Sequence, residues 1–293
     1  MFYLAACIVL TSYLTLAFKV LGKYNINSFQ AIVFNYITCV VTGSVMLGTF
    51  PVTRATMVLP WFGYALLMGS MFILLFNIIS FSARKIGVAV TSVANKLSLV
   101  IPFTFSIYIY NETAGWLKYA GILTAVIAVI LTCYPAGNQQ NSKNEVSPVS
   151  RVLIPLILFA GSGLLDTLIK YVEQAFLSPD DQDAYLVTTF AAAAAIGLII
   201  LLIRLASGAM RFSWRALLAG IAIGIPNYFS IWFLLHVLKQ FPADSSVIIP
   251  VNNMGIVLFS TIVAWILFKE KLMLINWIGI ILSIGAIALI AFG

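Results

Sequence analysis

Residues 243–292 read ADSSVIIPVNNMGIVLFSTIVAWILFKEKLMLINWIGIILSIGAIALIAF. Two apolar runs, 243–267 and 273–292, are separated only by a short turn carrying Lys269, Glu270 and Lys271. Each reaches the roughly 20 residues an α-helix needs to cross the hydrocarbon of a bilayer. Working back along the chain, runs bounded by charge, Pro, Gly or Asn predict further spans near 2–22, 28–49, 58–81, 87–109, 115–135, 152–173, 183–205 and 214–236. The expected fold class is an all-α membrane protein with ten transmembrane helices. Composition agrees: of 293 residues, 62% are apolar and 9% charged, with a mean hydropathy of +1.07. A water-soluble domain averages about 25% charged residues.

The same composition excludes whole classes of function. No polar stretch exceeds about 16 residues, so there is no room for a soluble catalytic or nucleotide-binding domain, and no GxxxxGK[ST] loop occurs. The chain alone does not drive transport with ATP. The net charge of +7 comes from Lys and Arg scattered through short loops, where they set membrane orientation rather than bind nucleic acid. Cys7, Cys39 and Cys133 stand alone in apolar runs and read as buried free thiols. The first run lacks a basic n-region and an AxA-like site, so it is expected to remain as the first span.

The stretch Ala136 to Ser150, AGNQQNSKNEVSPVS, falls near mid-chain and divides the sequence into 1–135, a linker 136–151, and 152–293. An ungapped shift of 158 positions places Asn95 on Asn253, Glu112 on Glu270, Gly121 on Gly279, Ala128 on Ala286 and Leu131 on Leu289. A shift of 151 places Thr11, Thr15 and Lys19 on Ser162, Asp166 and Lys170. Matched Asn, Glu and Lys point to an internal duplication. With five spans per half, the second copy enters from the opposite face, an inverted-topology repeat of the kind used for alternating access.

The segment Trp265-Ile-Leu-Phe-Lys-Glu-Lys-Leu272, followed by Asn276-Trp-Ile-Gly-Ile-Ile-Leu-Ser-Ile-Gly285, resembles the end of the EamA-type repeat of the drug/metabolite transporter superfamily. Pro102-Phe-Thr104, Asn111-Glu112 and Tyr119-Ala-Gly121 are similar to the same features in the first half. Lys269 and Asn111 depart from the pattern by replacing the glycine before the glutamate, and Phe81 to Gly87 matches poorly the end of the third helix. The resemblance implies a secondary transporter or exchanger of small metabolites. It implies a central cavity lined by spans one to four and six to nine, with the fifth and tenth outside. Gly121, Ala125, Gly279 and Ser283 on those two spans have the spacing that lets helices approach closely in lipid.

Polar side chains at membrane depth are costly and mark candidate sites. Lys96 lies midway along the fourth span, and Ser92, Asn95 and Lys96 form one stripe at i, i+3 and i+4. The ammonium either meets an anionic group of a substrate or pairs with Asp166, the acid well inside a span. Asp166 is also the candidate for proton coupling, with Lys170 one turn away as a local ion-pair alternative. Asn252 and Asn253 follow Pro250 and predict a locally opened ninth helix facing a ligand, or amides that merely satisfy a broken one. Asn35, Asn77, Asn227 and Tyr228 repeat the theme. Trp61, Trp116, Trp214 and Trp277 read as interfacial anchors. Glu112 and Glu270 read as caps of the next helix or partners of nearby lysines. Asp180, Asp181 and Asp183 read as a solvated cap, and His236, the single histidine, has no companion ligands for a metal.

The expected function is therefore a secondary transporter or exchanger of a small polar organic metabolite, of amino acid, nucleoside or sugar-derivative class. An integral-membrane lipid-modifying enzyme and a non-transporting scaffold are the competing readings. The partners expected are a small-molecule substrate and the lipid bilayer, with the chain a monomer or homodimer in a bacterial inner membrane. No cofactor, metal or catalytic residue is expected, and no nucleic acid. Eleven of the sixteen Lys and Arg residues follow odd-numbered spans: Lys19, Lys23, Arg84, Lys85, Lys143, Arg151, Arg204, Arg211, Arg215, Lys269 and Lys271. Arg54, Lys118, Lys170 and Lys239 lie at the other face. The positive-inside bias thus puts both termini outside the cytoplasm, whereas the family resemblance implies both inside. On the charge count, a reporter active only in the cytoplasm stays silent when fused after Gly293; a bright signal reverses the orientation.

Overall fold

The computed structural model describes residues 2–109, 115–134, 147–178, 181–240, 245–270 and 272–292. Among them every regular element is helical: α1 (Phe2–Lys23), α2 (Ser28–Leu47), the single turn α3 (Arg54–Met57), α4 (Phe62–Lys85), α5 (Val88–Leu97) and α6 (Val100–Ile109). There follow α7 (Trp116–Cys133), α8 (Pro148–Phe176), α9 (Gln182–Ala206), α10 (Trp214–Gln240), α11 (Ser245–Phe268) and α12 (Leu274–Phe292). These supply ten segments long and apolar enough to cross a membrane, with α5 and the start of α6 forming the fourth. The chain is an integral membrane protein. Most of the mid-chain linker, together with Asn111, Glu112, Asp180 and Lys271, lies outside the described residues.

Helices dominate because hydrocarbon offers no partner to an exposed N–H or C=O, so the backbone must satisfy itself within each segment. Threonines on the spans solve the same problem locally. Thr38, Thr104, Thr124, Thr132 and Thr188 each donate to the carbonyl four residues earlier, at 2.7–2.8 Å. The ends of α2 are capped from the sequence: Asn27 accepts from the Gln30 N–H at 3.1 Å, and Gly48 closes the helix at φ 72°.

Close contacts divide the chain into two compact units, and each draws on both halves of the sequence. The first contains Met1–Lys19, Ile78–Asp166 and Ser230–Gly293; the second contains Val20–Asn77 and Thr167–Phe229. In the first, α7 and α12 pack most extensively. A Cβ on Gly121 would stand 2.8 Å from Ile290, and one on Gly279 would stand 2.6 Å from the Thr132 backbone nitrogen, so the small residues are what allow this approach. Asn276, 3% exposed, reaches from α12 to the end of α7, where its amide donates toward the carbonyls of Leu131, Thr132 and Tyr134 at 3.3, 3.0 and 2.9 Å. The Leu131 carbonyl also accepts from the Tyr134 N–H at 3.3 Å, so the amide adds to the closure of a helix end whose last carbonyls lack a full set of intrahelical donors. In the second unit, α2 packs on α9. Trp61, expected as an interfacial anchor, instead lies 1% exposed with its ring 5.6 Å from that of Tyr185. It precedes α4 and turns inward, whereas Trp116 and Trp214 are exposed.

Pro250 behaves opposite to expectation. The ninth span, α11, runs unbroken through Pro250. The proline lies early in the helix, so it removes only the bond to the Ser246 carbonyl. The fourth span breaks instead, at Ser98 and Leu99. Pro102 has no N–H to offer the Ser98 carbonyl, which accepts from the Ile101 N–H at 2.9 Å in a tighter turn. α5 therefore ends near the middle of the span.

The N-terminus of α5 is held by a long-range contact. Glu270, in the turn after α11, accepts from the Val88 N–H at 2.8 and 3.1 Å and from the Ala89 N–H at 3.3 Å. Its carboxylate also pairs with Lys19 on α1 at 3.1 Å. The expected cap and lysine partner are both present, but the helix capped is 181–182 residues away in sequence rather than the next one. Lys269 positions this carboxylate by turning the chain at φ 51°, the left-handed conformation in which glycine is least strained. A glycine would adopt this conformation with less strain than the lysine that stands here. Lys269→Gly is expected to raise stability by up to about 1 kcal/mol, and Glu270→Gln to lower it by about 1 kcal/mol through the weakened cap. Thermal unfolding of the purified protein in detergent measures both.

Candidate functional site

The polar residues at membrane depth fall into two groups, one in each unit. In the first unit, Ser92, Asn95 and Lys96 share one face of α5, in keeping with their helical spacing. Lys96 occupies the last turn of α5, the end of a helix at which the aligned peptide dipoles leave a partial negative charge that favours a cation. Its ammonium is within electrostatic reach of Asp166 and of Cys7. Lys96 and Asp166 are both half-buried, and no nitrogen-to-oxygen distance of 4.0 Å or less joins them. They share an environment without closing into an ion pair.

The surrounding bonds explain what holds this geometry. Ser162 on α8 donates to Asn95 Oδ1 at 2.8 Å, tying α8 to α5 one turn before Asp166. Ser98, at the break after α5, sits 2.6 Å from the Asn95 carbonyl and 3.3 Å from Asp166 Oδ2. One hydroxyl proton serves both acceptors, and the shorter contact takes most of it, so Asp166 is only weakly bonded. On α1, Cys7 Sγ lies 3.8 Å from Thr11 Oγ1 and beside Asn252. Ser12 donates to the Ile256 carbonyl of α11 at 3.4 Å. Asn252 and Asn253 are 3% and 8% exposed. Two buried polar atoms here have no hydrogen-bond partner: Ser92 Oγ and Asn252 Oδ1. Buried polar atoms in native proteins are rarely orphaned, and those that are call for an explanation.

The second group is arranged differently. Asn35 and Tyr36 are fully buried, and Asn227 and Tyr228 nearly so. Asn227 Nδ2 donates to Asn35 Oδ1 at 3.2 Å and to Cys39 Sγ at 3.5 Å, while Cys39 donates to the Gly224 carbonyl at 3.3 Å. These side chains bind α2 to α10. Asn77 donates to the Ile73 carbonyl of its own helix at 2.7 Å. Tyr36 lies among the rings of Phe72, Phe76 and Phe190.

The sequence reading put Ser92, Asn95, Lys96, Asp166, Asn252 and Asn253 in one candidate set with Asn35, Asn77, Asn227 and Tyr228; the first six belong to the first unit and the last four to the second. It read Cys7 as a buried free thiol, which it is, but not as a neighbour of this cluster. The signal for its place was present in the four-residue spacing of Cys7, Thr11, Thr15 and Lys19, one polar stripe along α1. His236 instead packs its ring on Trp232, with centroids 3.7 Å apart.

No family model matches the chain. An uncharacterized protein of Haemophilus influenzae is 27% identical over 279 residues, spanning 92% of this chain and 90% of that one. A protein of known crystal structure aligns over 98% of this chain and 94% of its own with a TM-score of 0.62, at 13% identity. At that identity the likeness is one of fold.

The two groups differ in what substitution does. Asn227→Ala removes the donor that Asn35 Oδ1 and Cys39 share and is expected to cost about 1 kcal/mol of stability, the scale of an interhelical hydrogen bond in a membrane. A lower apparent melting temperature in detergent measures it; an unchanged one shows that the pair does not tie α2 to α10.

Proposed function

We propose that the chain is a secondary transporter or exchanger of a small polar organic solute, of EamA type, working by alternating access between two inverted five-span halves in a bacterial inner membrane. The single observation that carries this reading is the half-buried Lys96 beside an unclosed Asp166 in the middle of membrane spans. Charges at that depth face a bundle interior or a watery path in membrane proteins and mark the route of a solute or ion. A scaffold has no use for them. A lipid-modifying enzyme needs clustered acids and histidine near an interface, and this cluster lies at mid-span.

The packing supports the inverted plan. Among the most extensive contacts, α7 meets α12, α2 meets α9 and α5 meets α11. In spans these are the fifth with the tenth, the second with the seventh and the fourth with the ninth. Elements five apart meet in this way when two like halves are related by an axis in the membrane plane. In this reading Lys96, Asn95, Ser92, Asn252 and Asn253 contact solute, and Asp166 is the residue through which a proton would couple.

Counterflow in liposomes containing the purified protein, with pools of amino acids, nucleosides and sugar derivatives, tests the reading. We expect uptake of one class to exceed protein-free vesicles. Lys96→Ala and Asn253→Ala are expected to reduce it at least tenfold, and full activity in both removes these residues from the path.

A further inference from the structure

We infer that the groove beside the turn between α11 and α12 holds the headgroup of an anionic phospholipid, with Lys269 on its phosphate. The inference is independent of the transporter reading and concerns another part of the first unit. The groove has a volume of about 500 Å³ and is lined by Trp265, Ile266, Lys269, Glu270 and Leu272. Trp265 and Ile266 belong to the last turn of the ninth span and are 53% and 59% exposed, so the groove opens at the depth where a span leaves hydrocarbon for the headgroup layer. Trp265 meets the ring of Trp277 edge-on at 6.1 Å, and Leu272 and Trp277 pack against the buried core of the first unit. These contacts give the groove a fixed apolar wall.

The polar side is set by the way α11 ends. Lys269 takes the left-handed conformation at φ 51°, and the Glu270 N–H reaches back to the Ala264 carbonyl at 3.5 Å, the six-residue closure usual for a helix end of this kind. Glycine fills such a position with least strain, and another residue held there against that strain points to a task for its side chain. The two charges of the groove are not equivalent. Glu270 is engaged, by Lys19 at 3.1 Å and by the Val88 and Ala89 N–H groups. Lys269 is exposed and, among the described residues, joins no carboxylate within 4.0 Å. Arg84 and the exposed Lys85 end α4 just before Val88, whose N–H Glu270 holds. This end of the unit therefore sets Lys19, Arg84, Lys85 and Lys269 against the carboxylate of Glu270. An excess of cations attracts a phosphodiester and repels the choline of a zwitterionic headgroup. A free phosphate would use the ammonium alone, whereas a lipid also lays an acyl chain along Trp265 and Ile266, and that apolar contact commits the groove to a lipid.

The test uses the full-length protein, purified in detergent and freed of lipid, with three probes: dioleoyl phosphatidylglycerol, dioleoyl phosphatidylcholine and glycerol 3-phosphate. Native mass spectrometry counts bound lipid, and thermal unfolding reads the stabilisation that a ligand of the folded state confers. Phosphatidylglycerol is expected to bind about fivefold more tightly than phosphatidylcholine, the scale of one basic residue near a headgroup, and to raise the melting temperature further. Lys269→Gly is expected to unfold at a higher temperature than the parent without lipid, because its turn is relieved, yet to lose that preference. Lys269→Arg, which keeps the charge, and Lys118→Gln, outside the groove, are expected to retain it. Equal binding of the two lipids by the unsubstituted protein overturns the proposal, a result that depends on no variant. A preference that survives in Lys269→Gly overturns it too, since the lipid then sits elsewhere. Stabilisation by glycerol 3-phosphate equal to that by phosphatidylglycerol shows a bare phosphate site and overturns the lipid assignment.

Discussion

Hydrocarbon supplies no hydrogen bonds, and the chain is organised around that shortage. Each span satisfies its backbone internally, but helix ends and breaks leave donors and acceptors that a soluble protein would hand to water. Here they are met from a distance. Glu270 takes the first N–H groups of α5 and the ammonium of Lys19; Asn276 takes the last carbonyls of α7. A single carboxylate thereby joins α1, α5 and the turn between α11 and α12, and a single amide joins α7 to α12. These contacts fix where α5 stands, and α5 carries the candidate site.

Against this economy the exceptions carry information. In the second unit, Asn227 bonds to Asn35 and Cys39 across α2 and α10, as polar groups in a bundle do when their task is to hold helices together, although Asn35 Nδ2 and Tyr36 OH there have no partner among the described residues. In the first unit, Ser92 Oγ and Asn252 Oδ1 have no partner among the described residues while Ser162, Asn95 and Ser98 around them are bonded. The contrast lies in charge, since the first group contains Lys96 and Asp166 and the second is built of amides, tyrosines and a thiol.

The ten spans were legible because length and hydropathy report directly on the bilayer, and the stripe of Ser92, Asn95 and Lys96 was legible because helical spacing alone aligns it. The location of the break was not. Pro250 and Pro102 look alike in sequence, yet their consequences depend on how far each lies from a helix start and on whether a tighter turn absorbs the orphaned carbonyl. Glu270 was readable as a cap but its helix was not, because the partner is fixed by packing across the sequence halves. Trp61 was misread for a related reason: position near a span end suggests an anchor, and only the fold shows that the ring turns toward Tyr185. Lys269 was visible as a departure from the glycine pattern, and its meaning emerged with its positive φ.

The break in the fourth span and the charge at mid-depth belong together. A lysine inside a continuous helix faces carbonyls already bonded along the axis, and its ammonium must find a carboxylate or reach the interface. By ending α5 one residue after Lys96, the chain places the ammonium at the negative end of a helix, a stabilisation of up to about 2 kcal/mol in partly buried settings. Desolvating an ammonium costs several kcal/mol, so the helix end offsets part of the cost, and the nearby Asp166 field must supply the rest. Neither source requires the pair to close. The turn at Ser98 thus does two things at once: it sets Lys96 at a helix end, and it brings a hydroxyl to 3.3 Å from Asp166.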